Sequence, residues 1–168
     1  MRWIAIFVVV VVACIAALLL SQKKVLWHVT SPGMTVSDVR AVLPEAVPPP
    51  EPKSLGNGLS LGLVMPRATY VERAFNAELY FDVRGLLLVL LQPTRLLAPS
   101  AAMSEFEELR LVAGRRYGRE LVPSGPRPAD VPAEARWQAG PVTVTLRVER
   151  RGELAAVMMS YAVSSGPS

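Results

Sequence analysis

From Val142 to Val148 the chain alternates strictly: Val142, Val144, Leu146 and Val148 are apolar, and Thr143, Thr145 and Arg147 between them are polar. Successive side chains of a strand point to opposite faces, so a two-residue period specifies a sheet with one face buried and one face wet. Arg151-Gly152 then supplies a turn, and "ELAAVMMSYAV" returns as a closing strand. The same signature occurs earlier. Between Val71 and Val83 the odd positions Val71, Phe75, Ala77, Leu79, Phe81 and Val83 are apolar, Arg73 excepted, and Glu72, Asn76, Glu78 and Asp82 are polar. Arg84-Gly85 turns the chain into "LLLVLLQP", and "LSLGLV" at 59–64 is a candidate further strand. Val71, Phe75 and Leu79 also fit a four-residue helical spacing, but the immediate turn and second strand favour a hairpin. Short turns join antiparallel strands, so these segments restrict the chain to an antiparallel sheet.

Two helices are predicted beside it. In "SPGMTVSDVRAVLP" (31–44) Thr35 is placed as the N-cap of a helix over 36–43, with Asp38 three residues on as a capping-box partner. Met34 and Val39 occupy the positions of a hydrophobic staple, Gly33 permits the sharp lead-in, and Pro44 discourages continuation. Val36, Val39 and Val42 or Leu43 share one face. Two turns cannot persist alone, so this helix must pack on the sheet. Residues 104–117 form the second predicted helix, with Ser104 and Glu107 as a capping box and Phe106, Leu109, Val112 or Ala113, and Tyr117 on one face. Arg115 and Arg116 lie in its last turn, and Gly118 follows. The Pro-rich stretches 44–58 and 120–134 read as loops. No internal repeat is detectable.

Residues 3–20, "WIAIFVVVVVACIAALLL", carry no charge, Pro or Gly, and account for much of the chain's 51% hydrophobic content. A bilayer core needs ~20 helical residues, so the run is read as a transmembrane signal-anchor (1–24) in preference to a cleaved signal or a lipidation signal at Cys14. Lys and Arg near its two ends nearly balance and leave the orientation open. Cys14 is the only cysteine of the 168 residues, which excludes an internal disulfide. The predicted order is the anchor, a juxtamembrane segment and short helix (25–43), the Pro-rich loop (44–58), the sheet with helix 104–117 (59–163) and a tail (164–168). The fold class is α+β: an N-terminal transmembrane helix followed by an antiparallel β-sheet with two helices packed on one face.

"PGMTVSDVRAVLP" resembles the lead-in helix of the SmpA/OmlA (BamE) family, through Gly33, Met34, Thr35, Val39 and Leu43 at residues 32–44. The glycine that precedes the closing proline in that family is absent, because Leu43 meets Pro44 directly. The resemblance implies an extracytoplasmic binding or assembly module of a bacterial cell envelope; with the anchor read from residues 3–20, the expected location is the cell membrane, single-pass, with the C-terminal domain outside the cytoplasm.

Sequence signals for chemistry are sparse. His28 is the only histidine, so no multi-histidine metal site can form. Trp3, Lys23, Lys24, Trp27 and His28 are read as a membrane interface. Trp137 is read as core, and Glu78 and Asp82, with Tyr80 between them, as a solvated strand face. Arg115, Arg116 and Arg119 form the best candidate contact for an anion or a partner, against a plain role at a helix end. The glycines at 56, 58 and 62 lack the context of a phosphate-cradling loop. The formal charge of +4 is dispersed among acids, without the basic stripe of a nucleic-acid binder. The expectation is a binding or assembly module with no catalysis, no cofactor, no metal and no nucleic acid. Its expected partners are membrane lipid and another envelope protein. The alternatives are an accessory subunit acting through its transmembrane helix, and an envelope enzyme using dispersed carboxylates.

Overall fold

A computed structural model of the chain describes residues 27–56, 58–122 and 128–164. Its elements are α1 (Val36–Val42), β1 (Ser60–Tyr70), β2 (Arg73–Asp82), β3 (Gly85–Pro93), α2 (Pro99–Tyr117), β4 (Ala133–Ala139), β5 (Val142–Arg151) and β6 (Leu154–Val163). The strands form one antiparallel sheet in the order β1-β2-β3-β6-β5-β4. The chain therefore lays down a helix and a three-stranded meander, then does so again, and the third strands of the two meanders pair at the centre. The repetition is one of architecture, without a repeat in the sequence.

The alternation decides which face is sealed. Phe75, Ala77 and Leu79 of β2 and Val142, Val144, Leu146 and Val148 of β5 are buried in one continuous core. Ala102, Phe106, Leu109 and Ala113 of α2 join it, as do Val39 of α1 and Leu43 just after it. Both helices thus lie on the same face. Full burial contributes ~1.5–3 kcal/mol for a side chain such as Phe106 or Leu109. Arg73, the exception in the β2 pattern, reaches Glu105 and Glu108 of α2 as ion pairs.

Several expectations are corrected. Among the described residues no helix is long and apolar enough to cross a membrane. The transmembrane helix rested on residues 3–20, which lie outside the described residues. The membrane-anchored fold class, the signal-anchor reading and the single-pass membrane placement therefore find no support. Trp27, assigned to a membrane interface, is 4% exposed and belongs to the protein core, because its indole packs under the sheet's own side chains; His28 beside it is exposed. Trp3, Lys23 and Lys24 lie outside the described residues.

The strand expected over 71–83 is divided. β1 continues to Tyr70, and Val71 and Glu72 form the turn with φ of 49° and 59°. Two successive left-handed residues match the twist of a two-residue hairpin. That turn is normally marked by Asn-Gly, so a Val-Glu turn hides in the alternation. Val83, counted with the strand, is fully exposed in the next turn. α2 begins at Pro99, before Ser104, because a proline with its fixed φ and missing N–H suits a first helical position. Ser104 lies inside the helix, and its hydroxyl donates to the Ser100 carbonyl. In α1, Val39 and Leu43 are buried while Val36 and Val42 are each 40% exposed; so short a helix presents only one i, i+4 stripe to the sheet. Finally, "AEARWQA", with Ala133 and Glu134 counted in the Pro-rich loop and the rest assigned to no element, forms β4.

Candidate functional site

A cavity of about 300 Å³ lies on the helix-covered face. Its walls come from distant parts of the chain: Trp27 and His28, the end of β1 with its turn (Thr69, Tyr70, Val71), the end of α2 (Val112, Arg116, Tyr117), Ala139 and Val142 around the β4–β5 turn, Val144, and Tyr161 of β6. Each residue arrives there for a local reason. Tyr117 is the last helical residue before Gly118, whose φ of 85° ends the helix. Tyr161 continues the inward parity of Val157 and Met159 on β6. Tyr70 is the last residue of β1 before the left-handed turn.

The three tyrosines have different partners. The Tyr117 hydroxyl donates to the Tyr161 hydroxyl at 3.3 Å, and Tyr161 donates to the Met159 sulfur at 3.0 Å. Their rings meet edge to face, with centroids 6.4 Å apart. Tyr70 is 7% exposed; its hydroxyl is sealed from solvent and makes no hydrogen bond within 3.5 Å among the described residues, with the Tyr117 and Tyr161 hydroxyls near enough to act on it. Burial pushes the Tyr70 phenol up to about 12, with the neighbouring Tyr117 adding to the effect. Burial also pushes the Tyr161 phenol well up. Both hydroxyls therefore keep their protons at neutral pH and serve as donors. At the rim the Arg116 guanidinium lies 5.5 Å from the centre of the Tyr117 ring, and His28 stands edge-on to Trp27 at 4.6 Å. No carboxylate lines this cavity.

A second hollow, of about 510 Å³, lies between Pro49–Pro52 and the edge of the β1–β2 hairpin. Two of its charged groups pair with each other: Lys53 donates to both Glu78 oxygens at 2.9 and 2.8 Å, and the Tyr80 hydroxyl donates to Glu78 at 2.7 Å; Glu51 lines the hollow as well. Burial pushes the Glu78 carboxyl up, but the hydrogen bonds from Lys53 and Tyr80 outweigh it and hold the group below its ordinary value. The Pro-rich segment also shields the outer edge of β1, where Val47 exchanges backbone hydrogen bonds with Val64. Glu78 and Asp82 do not act together. The register shifts between Tyr80 and Phe81, and Asp82 closes its own turn by accepting from the Arg84 backbone N–H and guanidinium.

The predicted arginine cluster is divided as well. Arg116 borders the tyrosine cavity. Arg115 borders a separate hollow of about 390 Å³ beside Trp137, whose buried indole N–H is also unpaired among the described residues. Arg119 is exposed beyond the helix end. The cap residues Met34, Thr35, Asp38 and Val39 sit away from the cavity and act structurally. The Thr35 backbone N–H donates to Asp38 Oδ2 at 2.9 Å, and the Asp38 N–H donates to Thr35 Oγ1 at 3.2 Å, which closes the capping box. The Thr35 hydroxyl and backbone bonds hold the Asp38 carboxyl below its ordinary value. Met34 and Val39 both contact the core cluster. Among the described residues no group of three or more His, Cys, Asp or Glu side chains could hold a metal ion. Sequence reasoning singled out neither Tyr70 nor Tyr161 as a site residue and placed Tyr117 only on one face of the second helix.

No family model matches the chain, and neither the curated proteins nor the solved structures give a match.

Proposed function

We propose that this chain is a non-catalytic binding module that takes a small ligand into the tyrosine-lined cavity. One observation carries the reading: a cavity of about 300 Å³ stands at the end of α2, walled by three tyrosines and by valines, with the exposed Arg116 guanidinium at its rim in no ion pair among the described residues. A formed pocket with apolar walls and a few polar groups is the usual shape of a small-molecule site. The absence of catalysis rests on the groups present. Tyr70 and Tyr161 hold their protons too tightly to act as bases, and His28 makes its ring contact with Trp27 and not with a tyrosine hydroxyl.

The test is thermal unfolding of the full chain against a chemically diverse set of small molecules, in parallel with Ala139→Phe, which projects a ring into the cavity. A ligand at a hundred times its Kd should raise the melting temperature of the wild type by about 5–10 °C and should leave Ala139→Phe unmoved. Equal shifts in both proteins, or none in either, would overturn the proposal.

A further inference from the structure

The geometry points to a small amphipathic carboxylate, an acyl or aryl acid, as the occupant of the cavity formed by Tyr70, Tyr117 and Tyr161, with its carboxylate toward Arg116 at the rim. The inference rests on the binding-module reading above and assigns its ligand class.

Two features of the wall select this class. The tyrosines lend it no preference: Tyr117 donates to Tyr161 and Tyr161 to Met159, and phenol oxygens can accept as well as donate. First, the charge is of one sign. Arg116 makes no ion pair among the described residues, and no Asp or Glu shares the cavity. An ammonium ligand would find no counter-charge there. An anion would find a guanidinium, held over the Tyr117 ring and also offsetting the negative end of the α2 dipole. Second, His28 and Thr69 apart, the remaining wall is largely apolar. Val71, Val112, Ala139, Val142 and Val144 offer hydrocarbon, which suits a short acyl or aryl body. The volume of about 300 Å³ stands at the low end of small-molecule sites, so long-chain lipids do not fit within it.

Calorimetry with the full chain would compare matched probes: hexanoate with hexanol and hexylamine, and benzoate with benzyl alcohol and benzylamine. The acids should bind at least about tenfold more tightly than the alcohols, and the amines should not bind. Tyr70→Phe should leave the preference for acids in place. Arg116→Gln should weaken the acids and leave the alcohols unchanged, which abolishes the preference. Arg119→Gln should change neither. Raised salt should weaken acid binding in the wild type more than in Arg116→Gln. Acids and alcohols bound equally would overturn the carboxylate assignment while the binding site stands. No heat with any probe would overturn the ligand class. If Ala139→Phe also melts in step with the wild type across the broader set, the binding module falls with it.

Discussion

Substituting Gly85 by alanine should unfold the chain's first helix from the sheet. Gly85 opens β3 with φ at +108°, a conformation that L side chains rarely adopt. A Cβ placed there would stand 2.3 Å from the Gly33 carbonyl oxygen and 2.8 Å from that of Met34. Those are backbone atoms and cannot turn aside. They belong to the strap that delivers α1, and two hydrogen bonds fasten it: Gly33 N–H to the Leu86 carbonyl at 3.0 Å, and Leu86 N–H to the Met34 carbonyl at 2.8 Å. The strained φ contributes about 1–3 kcal/mol, and each strap bond lost contributes about 0.5–1.5 kcal/mol. Gly85→Ala should therefore destabilise by about 3–4 kcal/mol. Gly114→Ala is the matched control. It lies inside α2, and a Cβ there meets nothing within 4 Å, so it should stabilise by about 0.5–1 kcal/mol. In urea, with a slope of about 2 kcal/mol/M, Gly85→Ala should lower the midpoint by about 2 M, and Gly114→Ala should raise it slightly. A Gly85→Ala midpoint within about 0.5 M of wild type would refute the strap as drawn.

Thr35→Ala should lose the α1 cap and destabilise by about 0.5–2 kcal/mol in the same titration, and the loss should be undetectable when Gly85→Ala has already freed the strap. Glu72→Gly should stabilise by about 0.5–1 kcal/mol, because the exposed residue holds φ at 59° and glycine adopts that conformation without the left-handed penalty; a lower melting temperature would show that the Glu72 side chain matters. The Glu78 carboxyl has its folded pKa held below the ordinary 4.5, so its contribution is fully present above that value and is lost as pH falls through the lower folded value. Glu78→Gln should accordingly be less stable than wild type at pH 7, with the gap narrowing toward pH 3. A gap independent of pH would remove the ion pair as its cause.

The strands that could be read from the chain were those whose two faces meet different surroundings. β5 has its inward valines sealed and its outward Thr143, Thr145 and Arg147 part-exposed, and its alternation is plain. β6 is less plain because Ala156 and Met158, on the uncovered face, are buried too. Arg151 reaches across that face to Gln92 and Met158, so a long polar side chain does the covering and leaves no trace in the hydropathy of β6 itself. β4 was illegible because two of its inward residues are only Ala133 and Ala135, with a Pro-rich segment before them. The start of α2 was misread because Pro99 supplies pre-set geometry without a side-chain cap, whereas Ser104 and Glu107 imitate a capping box one and a half turns further on.

The site could not have been read from spacing at all, and the sheet shows why. Tyr70 of β1 and Val144 of β5 line the same cavity, yet in the order β1-β2-β3-β6-β5 four strand-to-strand steps separate them. In a flat sheet that is about 19 Å, at ~4.8 Å per step. A cavity of about 300 Å³ and the reach of the Tyr70 side chain together bridge that distance, and a sheet bent toward the end of α2 shortens it. Strand irregularities accomplish such bending. β1 shifts register between Leu61 and Leu63 and between Met65 and Ala68, the second at Arg67 with φ of 57°, and the β2–β3 ladder shifts at Tyr80–Phe81. Extra residues of this kind bend a strand and increase its twist. Gly62 shows how tightly the first is built: a Cβ there would come within 2.7 Å of the Phe81 ring. Tyr70 therefore reaches the helix end through bulges placed well before it in β1, and the signal for the site lies in Gly62 and Arg67, residues that never touch the cavity.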